Sequence, residues 1–484
     1  MIRKLLMLSF AAVSLSAITV ISNEDVQFNI DGTIQGLVVD EFTDDLNPNN
    51  TAFSNNQAGV VGTNATMFDI KATNNVGKDI GRVTMFLKQA RLDFNGRFKM
   101  VDYRMKLAFG GEMIPSSSSS VNSILSLLDA YGNVHFFGDA LQLRFGQFLV
   151  PYSRERLTVE TTKQNVDFSM NTIGFDLGRD VGLAVHSKIG LFSGALGVFT
   201  GGGIDVPQRY LPEILGLPML TGRIGINNGL DKDAFTPGHG DADEGIKYAA
   251  YLNGAVIYKN SRIGHGSSLG TRYYTAQYGT GLLLNPKWNP LGTSTAYYDT
   301  VIFFQYGADA AVKIPVMKDV EVNASAEANY GQFGNAAVGL TMWGGVVDAM
   351  ITLKTTPLPM IKNVGIGIRY SLLNTPNGAQ NAVTTTSSYV TTNAASSNWT
   401  VNTSTTTSYV SIPQTLMHEI SPVVTFTAFD VKCMFEVNFQ RNALVAWEKN
   451  NGSYNILLMP NQVSTGNFLI ENPVVLRGQM QFTF

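Results

Sequence analysis

Val320-Glu321-Val322-Asn323-Ala324-Ser325-Ala326-Glu327-Ala328-Asn329-Tyr330 is the stretch on which the fold turns. Every second residue, from Val320 to Tyr330, is apolar or small, and those between are Glu, Asn or Ser. Successive side chains of a strand point to opposite faces, so this segment has one apolar face and one polar, partly acidic face. A period of two is not the period of an amphipathic helix, whose apolar residues recur every three or four.

The same alternation recurs along the chain. Val431, Cys433, Phe435, Val437 and Phe439 alternate with Lys432, Met434, Glu436 and Asn438. Val101, Tyr103, Met105, Leu107 and Phe109 alternate with Asp102, Arg104 and Lys106, and Val364, Ile366, Ile368 and Tyr370 with Gly365, Gly367 and Arg369. At the end, Val474, Leu476, Gly478, Met480, Phe482 and Phe484 oppose Arg477, Gln479, Gln481 and Thr483. Such an apolar last strand closing on an aromatic has the character of an assembly signal, with Phe482 and Phe484 as the residues read by barrel assembly machinery. One such strand fits a soluble sandwich. Many in series, on an exported chain with few charges, imply an all-β transmembrane antiparallel barrel.

Composition points the same way. Only 15% of the 484 residues are charged and 47 are Gly, against about 25% charged in soluble domains. The near-zero mean hydropathy is too polar for a helical membrane protein. Arg3 and Lys4 precede an apolar run from Leu5 to Leu15 and the small residues Ser14, Ser16 and Ala17. This is the layout of a secretory leader, too short for the ~18 residues of a membrane span. The expected division is a leader over 1–17 and a barrel over 18–484. Loss of Arg3 and Lys4 takes the net charge from −3 to about −5, no footprint for nucleic acid. Cys433 is the lone cysteine, so no intrachain disulfide framework exists.

Tight turns are expected at Asn95-Gly96, Gly138-Asp139, Lys188 to Gly190, Pro315 to Asp319, Thr355 to Lys362 and Phe429-Asp430. Long polar excursions are expected at 41–65, 111–123, 152–179, 200–245, 283–297, 373–419 and 441–468. Short periplasmic turns alternating with long external loops make the strand number even. About sixteen strands follow if 200–245 is a single excursion, and eighteen if Leu220 to Ile226 opens a further hairpin. A sixteen-stranded barrel leaves a water-filled channel.

Residues 90–203 resemble the phosphate-selective porin O and P family, over 90–112, 127–158, 176–185 and 196–203. The most distinctive phrases are Gly146-Gln147-Phe148 leading into Pro151-Tyr152-Ser153, and Gly178-Arg179-Asp180-Val181-Gly182. The resemblance implies a homotrimeric, sixteen-stranded outer-membrane porin, embedded in lipid and lipopolysaccharide, whose long loop after the fifth strand folds inward as the constriction. Here that loop is about 152–179 and carries Arg154, Glu155, Arg156, Glu160, Lys163, Asp167, Asp176 and Arg179, the densest mixed charge in the chain. Charges crowded into a narrow throat focus potential and select ions.

The family's phosphate selectivity rests on lumenal arginine ladders and a lysine cluster. Here the inward basic candidates Arg91, Arg104, Lys106, Arg144 and Arg369 are matched by Asp93, Asp102, Asp129, Glu321, Glu327 and Glu436. That balance suits a mixed field and weak selectivity, with phosphate or anion selectivity as an alternative. A surface adhesin with an occluded pore competes, built on the Ser/Thr/Asn-rich loops. An enzyme would need a polar constellation, and the five histidines are scattered without metal-ligand spacing. Outward-facing Ser and His partners for a lipase-like site are not expected, and His186 reads as a lumen-wall residue. No cofactor is implied. Asp231, Asp233, Asp241, Asp243 and Glu244 form a carboxylate run that fits a calcium ion at an external loop.

Overall fold

The structure, a computed structural model, describes residues 18–22, 25–43, 70–71, 80–111, 125–138, 140–159, 161–200, 218–238, 245–258, 302–334, 339–358, 360–374, 380–393, 398–411, 415–450, 453–457, 466–472 and 474–484. Sixteen antiparallel strands form a closed wall: β1 Val26–Thr43, β2 Ile80–Phe98, β3 Val101–Gly111, β4 Leu125–His135, β5 Gln142–Leu149, β6 Arg179–Ile189, β7 Phe192–Phe199 and β8 Met219–Asn227. They continue as β9 Lys247–Tyr258, β10 Ile302–Met317, β11 Val320–Gly334, β12 Gly339–Thr355, β13 Ile361–Asn374, β14 Leu416–Ala428, β15 Val431–Arg441 and β16 Val474–Thr483. Each pairs with its chain neighbour, and β16 returns to β1 from Thr33↔Thr483 to Phe42↔Val474. That last ladder leaves the wall without a free edge, the condition for a sheet to stand in hydrocarbon. No helix among the described residues is long and apolar enough to cross a membrane; the strands do so.

Polarity is inverted across the wall. Ile366, Ile368, Ile351, Phe435 and Met480 point outward and exposed, whereas their neighbours Arg369, Met434, Glu436 and Gln481 are buried inside. In β11, Ala326 and Ala328 are exposed while Glu327 and Asn329 are buried. The period-two reading of the sequence therefore holds strand by strand.

Several turns lie where expected. Phe429 and Asp430 both have positive φ, at 51° and 63°, the conformation a two-residue type I′ hairpin needs. Asn95-Gly96 is a correction: β2 runs through it, pairing Asn95 with Arg104 and Gly96 with Tyr103, and the chain turns at Lys99-Met100 with Lys99 at φ 51°. Gly96 is there for space. Any side chain would strike the Gln27 carbonyl, and the Tyr103 hydroxyl lies over the glycine and donates to that carbonyl at 3.0 Å.

A second correction concerns 200–245. It is not one excursion, because Met219–Asn227 is wall strand β8, yet the total stays at sixteen. Two other expected loops contain paired strands, 380–393 with 398–411, and 443–450 with 453–457 and 466–471. The expected leader and the excursion at 283–297 lie outside the described residues.

Candidate functional site: a lumen crossed by two segments

The connection between β5 and β6, residues 150–178, runs into the barrel and is mostly buried. It contains two short helices, α1 Arg154–Leu157 and α2 Met170–Phe175, capped by Ser153 and Ser169. A serine oxygen at such a cap accepts an amide hydrogen that the first turn leaves unpaired. Ser169 Oγ accepts from Thr172 N at 3.2 Å, and Ser153 Oγ from Arg156 N at 3.3 Å.

Carboxylates of the far wall accept from further groups of the loop. Glu327 on β11 accepts from Ser153 Oγ at 3.0 Å and Arg154 N at 2.8 Å. Glu419 on β14 accepts from Met170 N at 3.3 Å, and Glu436 on β15 from Val166 N at 2.9 Å. On β2, Lys88 donates to the Val166 carbonyl at 2.6 Å and faces the Asp167 carboxylate at 3.7 Å. Burial opposes ionisation of Asp167, but Lys88 and other cations outweigh it and hold its pKa below the usual aspartate value. The loop thus leaves β5 and docks on strands across the lumen.

A second segment enters from the opposite end. Residues 228–246 join β8 to β9 at the end that carries the tight turns, and residues 228–238 fold inward. Asp231 meets the Arg154 guanidinium in a paired contact of 3.0 and 2.5 Å, and Arg154 Nε reaches Asp309 on β10 at 3.0 Å. Asp309 is also held by Arg223, whose guanidinium carbon stands 4.1 Å from the Tyr251 ring centre. Burial disfavours the charge on Arg154, yet Asp231 and Asp309 raise its pKa above the ordinary arginine value.

Two cavities border these segments. One of about 410 Å³ is lined by Arg91, Arg104, Lys106, Arg144, Arg156 and Arg179 against Asp31, Asp93 and Asp129. The other, about 690 Å³, sets Arg154, Lys163, Lys313, Lys354 and Lys432 against Glu155, Asp167, Glu321 and Asp348. In the first, Arg144 lies between rings, 4.1 Å from the Phe235 centre and 4.6 Å from that of Tyr131. Among the described residues its carboxylate neighbour is Asp233, 4.0 Å away, and its Nε has no hydrogen-bond partner.

Residues 62–206, which include the inward loop, match the family model described as phosphate-selective porin O and P. This stretch is similar to that porin family. No curated protein matches the chain. Among solved structures, the anion-selective porin from Comamonas acidovorans is 9% identical, covering 95% of this chain and 100% of that one, with a TM-score of 0.49. The outer-membrane channel DcaP of Acinetobacter baumannii is 13% identical over 97% and 100%, TM-score 0.45. OmpT of Vibrio cholerae is 7% identical over 96% and 99%, TM-score 0.43.

Within the barrel, the expected constriction residues separate into groups. Arg154 borders a cavity but is committed to Asp231 and Asp309. Glu155 accepts from Ser169 N at 2.9 Å and Thr172 Oγ1 at 2.6 Å, and meets Arg369 at 3.2 Å, so it ties α1 to α2 and the wall. Arg156 pairs with Asp176 at 2.8 Å, while Lys163 and Arg156 both sit over the Phe168 ring. Arg179 pairs with Asp129 at 2.7 Å, and Arg104 and Lys106 share Asp93. Asp102 lies apart from both cavities, bound by Arg97 and His135. Glu160 is outside the described residues.

Several expectations need correction. Glu327 is spent on the loop, accepting from Ser153 Oγ and Arg154 N, whereas Glu436 holds Val166 N and also matches arginines as expected, Arg477 at 2.7 Å and Arg369 at 3.9 Å. Asp231 and Asp233 are at the turn-bearing end, inside the barrel and facing arginines, not on an external loop; Asp241, Asp243 and Glu244 are outside the described residues. Among the described residues no group of three or more His, Cys, Asp or Glu is placed to hold a metal. His186 is a buried lumen residue, with Nε2 2.7 Å from Asn133 Oδ1. His418 does face outward, its Nδ1 2.8 Å from the Tyr370 hydroxyl, but its cross-strand neighbours are Leu372 and Arg441, with no serine among them. Sequence reasoning missed the partners of Arg144 because Phe235 is 91 positions away, on a connection that reads as an ordinary polar excursion.

Proposed function

We propose that this chain is a passive outer-membrane channel for small hydrophilic solutes and ions, with a preference for anions. What carries the channel reading is the inversion of polarity across a closed sixteen-strand wall, apolar outside and charged within. Such a wall is stable where lipid lies outside and water inside. The anion preference is supported by the six cations and three carboxylates around the smaller cavity, and by wall glutamates spent on loop amides. Field lines in a low-dielectric enclosure concentrate that excess.

The test is purified protein in a planar bilayer under a tenfold KCl gradient. Stepwise conductance and a reversal potential on the chloride side are expected, and Arg144→Gln should move that potential towards zero. A cation-side potential in the wild type sinks the preference, and complete electrical silence sinks the channel.

On this reading the chain does no bond chemistry and needs no cofactor. It is exported by a leader removed near residue 17, inserted by barrel assembly machinery that reads Phe482 and Phe484, and set in lipid and lipopolysaccharide as the homotrimer its family resemblance implies. N-terminal mass analysis and cross-linking in native membranes test the leader and the trimer. A calcium ion at 231–244 is disfavoured by the arginines facing Asp231 and Asp233.

A surface role is the second reading, supported by the paired strands 380–393 and 398–411 in an external connection. It replaces the first if the full chain is silent while a variant lacking 380–411 conducts.

A further inference from the structure

Seven connections join strands at the turn-bearing end. Six span between two and six residues; the seventh, 228–246, spans nineteen. Barrel strands are ordinarily joined at that end by short turns, so a long connection there calls for a physical account.

Residues 228–238 of it are built to go inward. Asn227, the last residue of β8, accepts the Gly229 and Asp231 amides at 2.9 and 3.0 Å and donates to the Asp231 carbonyl at 2.7 Å. Gly229 and Gly238 have φ of 104° and 75°, the left-handed region glycine enters without steric cost. Lys188, at the neighbouring turn, donates to the Asp231 and Lys232 carbonyls, each at 3.2 Å. Leu230, Ala234 and Phe235 then join one buried apolar cluster with Phe148, Tyr152 and Phe175, the last two from the 150–178 loop. Asp231 completes the contact with Arg154. The segment also contributes to both cavities, through Phe235 and Thr236 in one and Leu230 and Gly238 in the other.

We propose that residues 228–238 are a second constriction segment, latched to the 150–178 loop by Arg154–Asp231 and by the Phe235 cluster. The bore of the channel is set by two segments entering from opposite ends. Arg154 is a positioning residue: its charge is spent on Asp231 and Asp309, and it acts on solutes through the segment it holds. Phe235 has a related task, since its ring fixes the Arg144 guanidinium.

The inference presupposes a conducting channel, and single-channel recording separates its failure from that of the channel reading. Asp231→Asn, Arg154→Gln and their double variant are compared with wild type, each first shown to fold by heat-modifiable migration. Either single change should raise conductance or open-channel noise about twofold, and the double should add little, because both break one latch. Phe235→Ala, which leaves no unpaired charge, should also widen the channel and shift reversal towards zero. A conducting wild type whose three single variants keep its conductance and noise overturns the inference, as does a double variant whose effects simply add. A silent wild type would instead count against the channel itself.

Discussion

Arg144 and Arg154 are both lumenal arginines less than a tenth exposed, and their surroundings give them different work. Arg154 has two carboxylates in hydrogen-bond contact; Arg144 has three aromatic rings within 6 Å and one carboxylate at 4.0 Å. A guanidinium stacked on rings keeps its charge while giving up little of it to an ion pair. Lysine carries the same charge without the flat fork, so Arg144→Lys should keep most of the anion preference that Arg144→Gln loses. Reversal potentials of the two variants decide this, and a lysine variant shifted as far as the glutamine one counts against it. Arg369 is a different case, bound to Glu419 at 3.0 Å and Glu155 at 3.2 Å, at 1% exposure. Arg369→Met strands buried carboxylates, and breaking such a pair from one side costs about 3–5 kcal/mol. Urea unfolding in detergent or lipid should show a loss of that order.

At the scale of elements, the 150–178 loop is held as much by titratable side chains as by packing. The depressed pKa of Asp167 gives the linkage its sign. A carboxyl whose folded value lies below its unfolded one stabilises fully above the unfolded pKa and loses that contribution as pH falls through the folded one. The stability difference between wild type and Asp167→Asn should therefore be flat from neutral pH down to about 4, where aspartate ordinarily titrates, and shrink only below it. A difference already shrinking at pH 6 would mean that Lys88 and its fellow cations do not hold the loop in this way. How much of these elements the sequence disclosed follows from the range of the forces. Alternation is local, so the strands and their faces were legible, whereas the inward loop was implied by the family resemblance. Asn95-Gly96 misled because a glycine selected for close strand approach is spelled like one selected for a turn. The 228–238 segment was hidden because its reasons for folding inward, Arg154 and the Phe148 cluster, lie far away in sequence.

Across the whole molecule, the governing fact is that adjacent residues inhabit different solvents. Arg223 and Ile224 are neighbours on β8; the first is wholly buried against Asp309 and Asn253, and the second is 65% exposed on the outer face. In a soluble protein an exposed isoleucine is a mild liability, and replacing it with arginine is close to neutral or improves solubility. If the outer face meets hydrocarbon, the same change transfers a cation out of water. Near the bilayer midplane that costs about 2–4 kcal/mol, falling towards zero at the interfaces. Ile224→Arg should accordingly destabilise the barrel in lipid vesicles while leaving the lumen, and hence the reversal potential, unchanged. Ile366→Arg, on the equally exposed outer face of β13, should behave alike. A pair of such variants refolding in vesicles with wild-type stability would mean that the outer face does not lie in lipid. The charged interior would then need another explanation, because a wall of this polarity closes around water only when something less polar than water surrounds it.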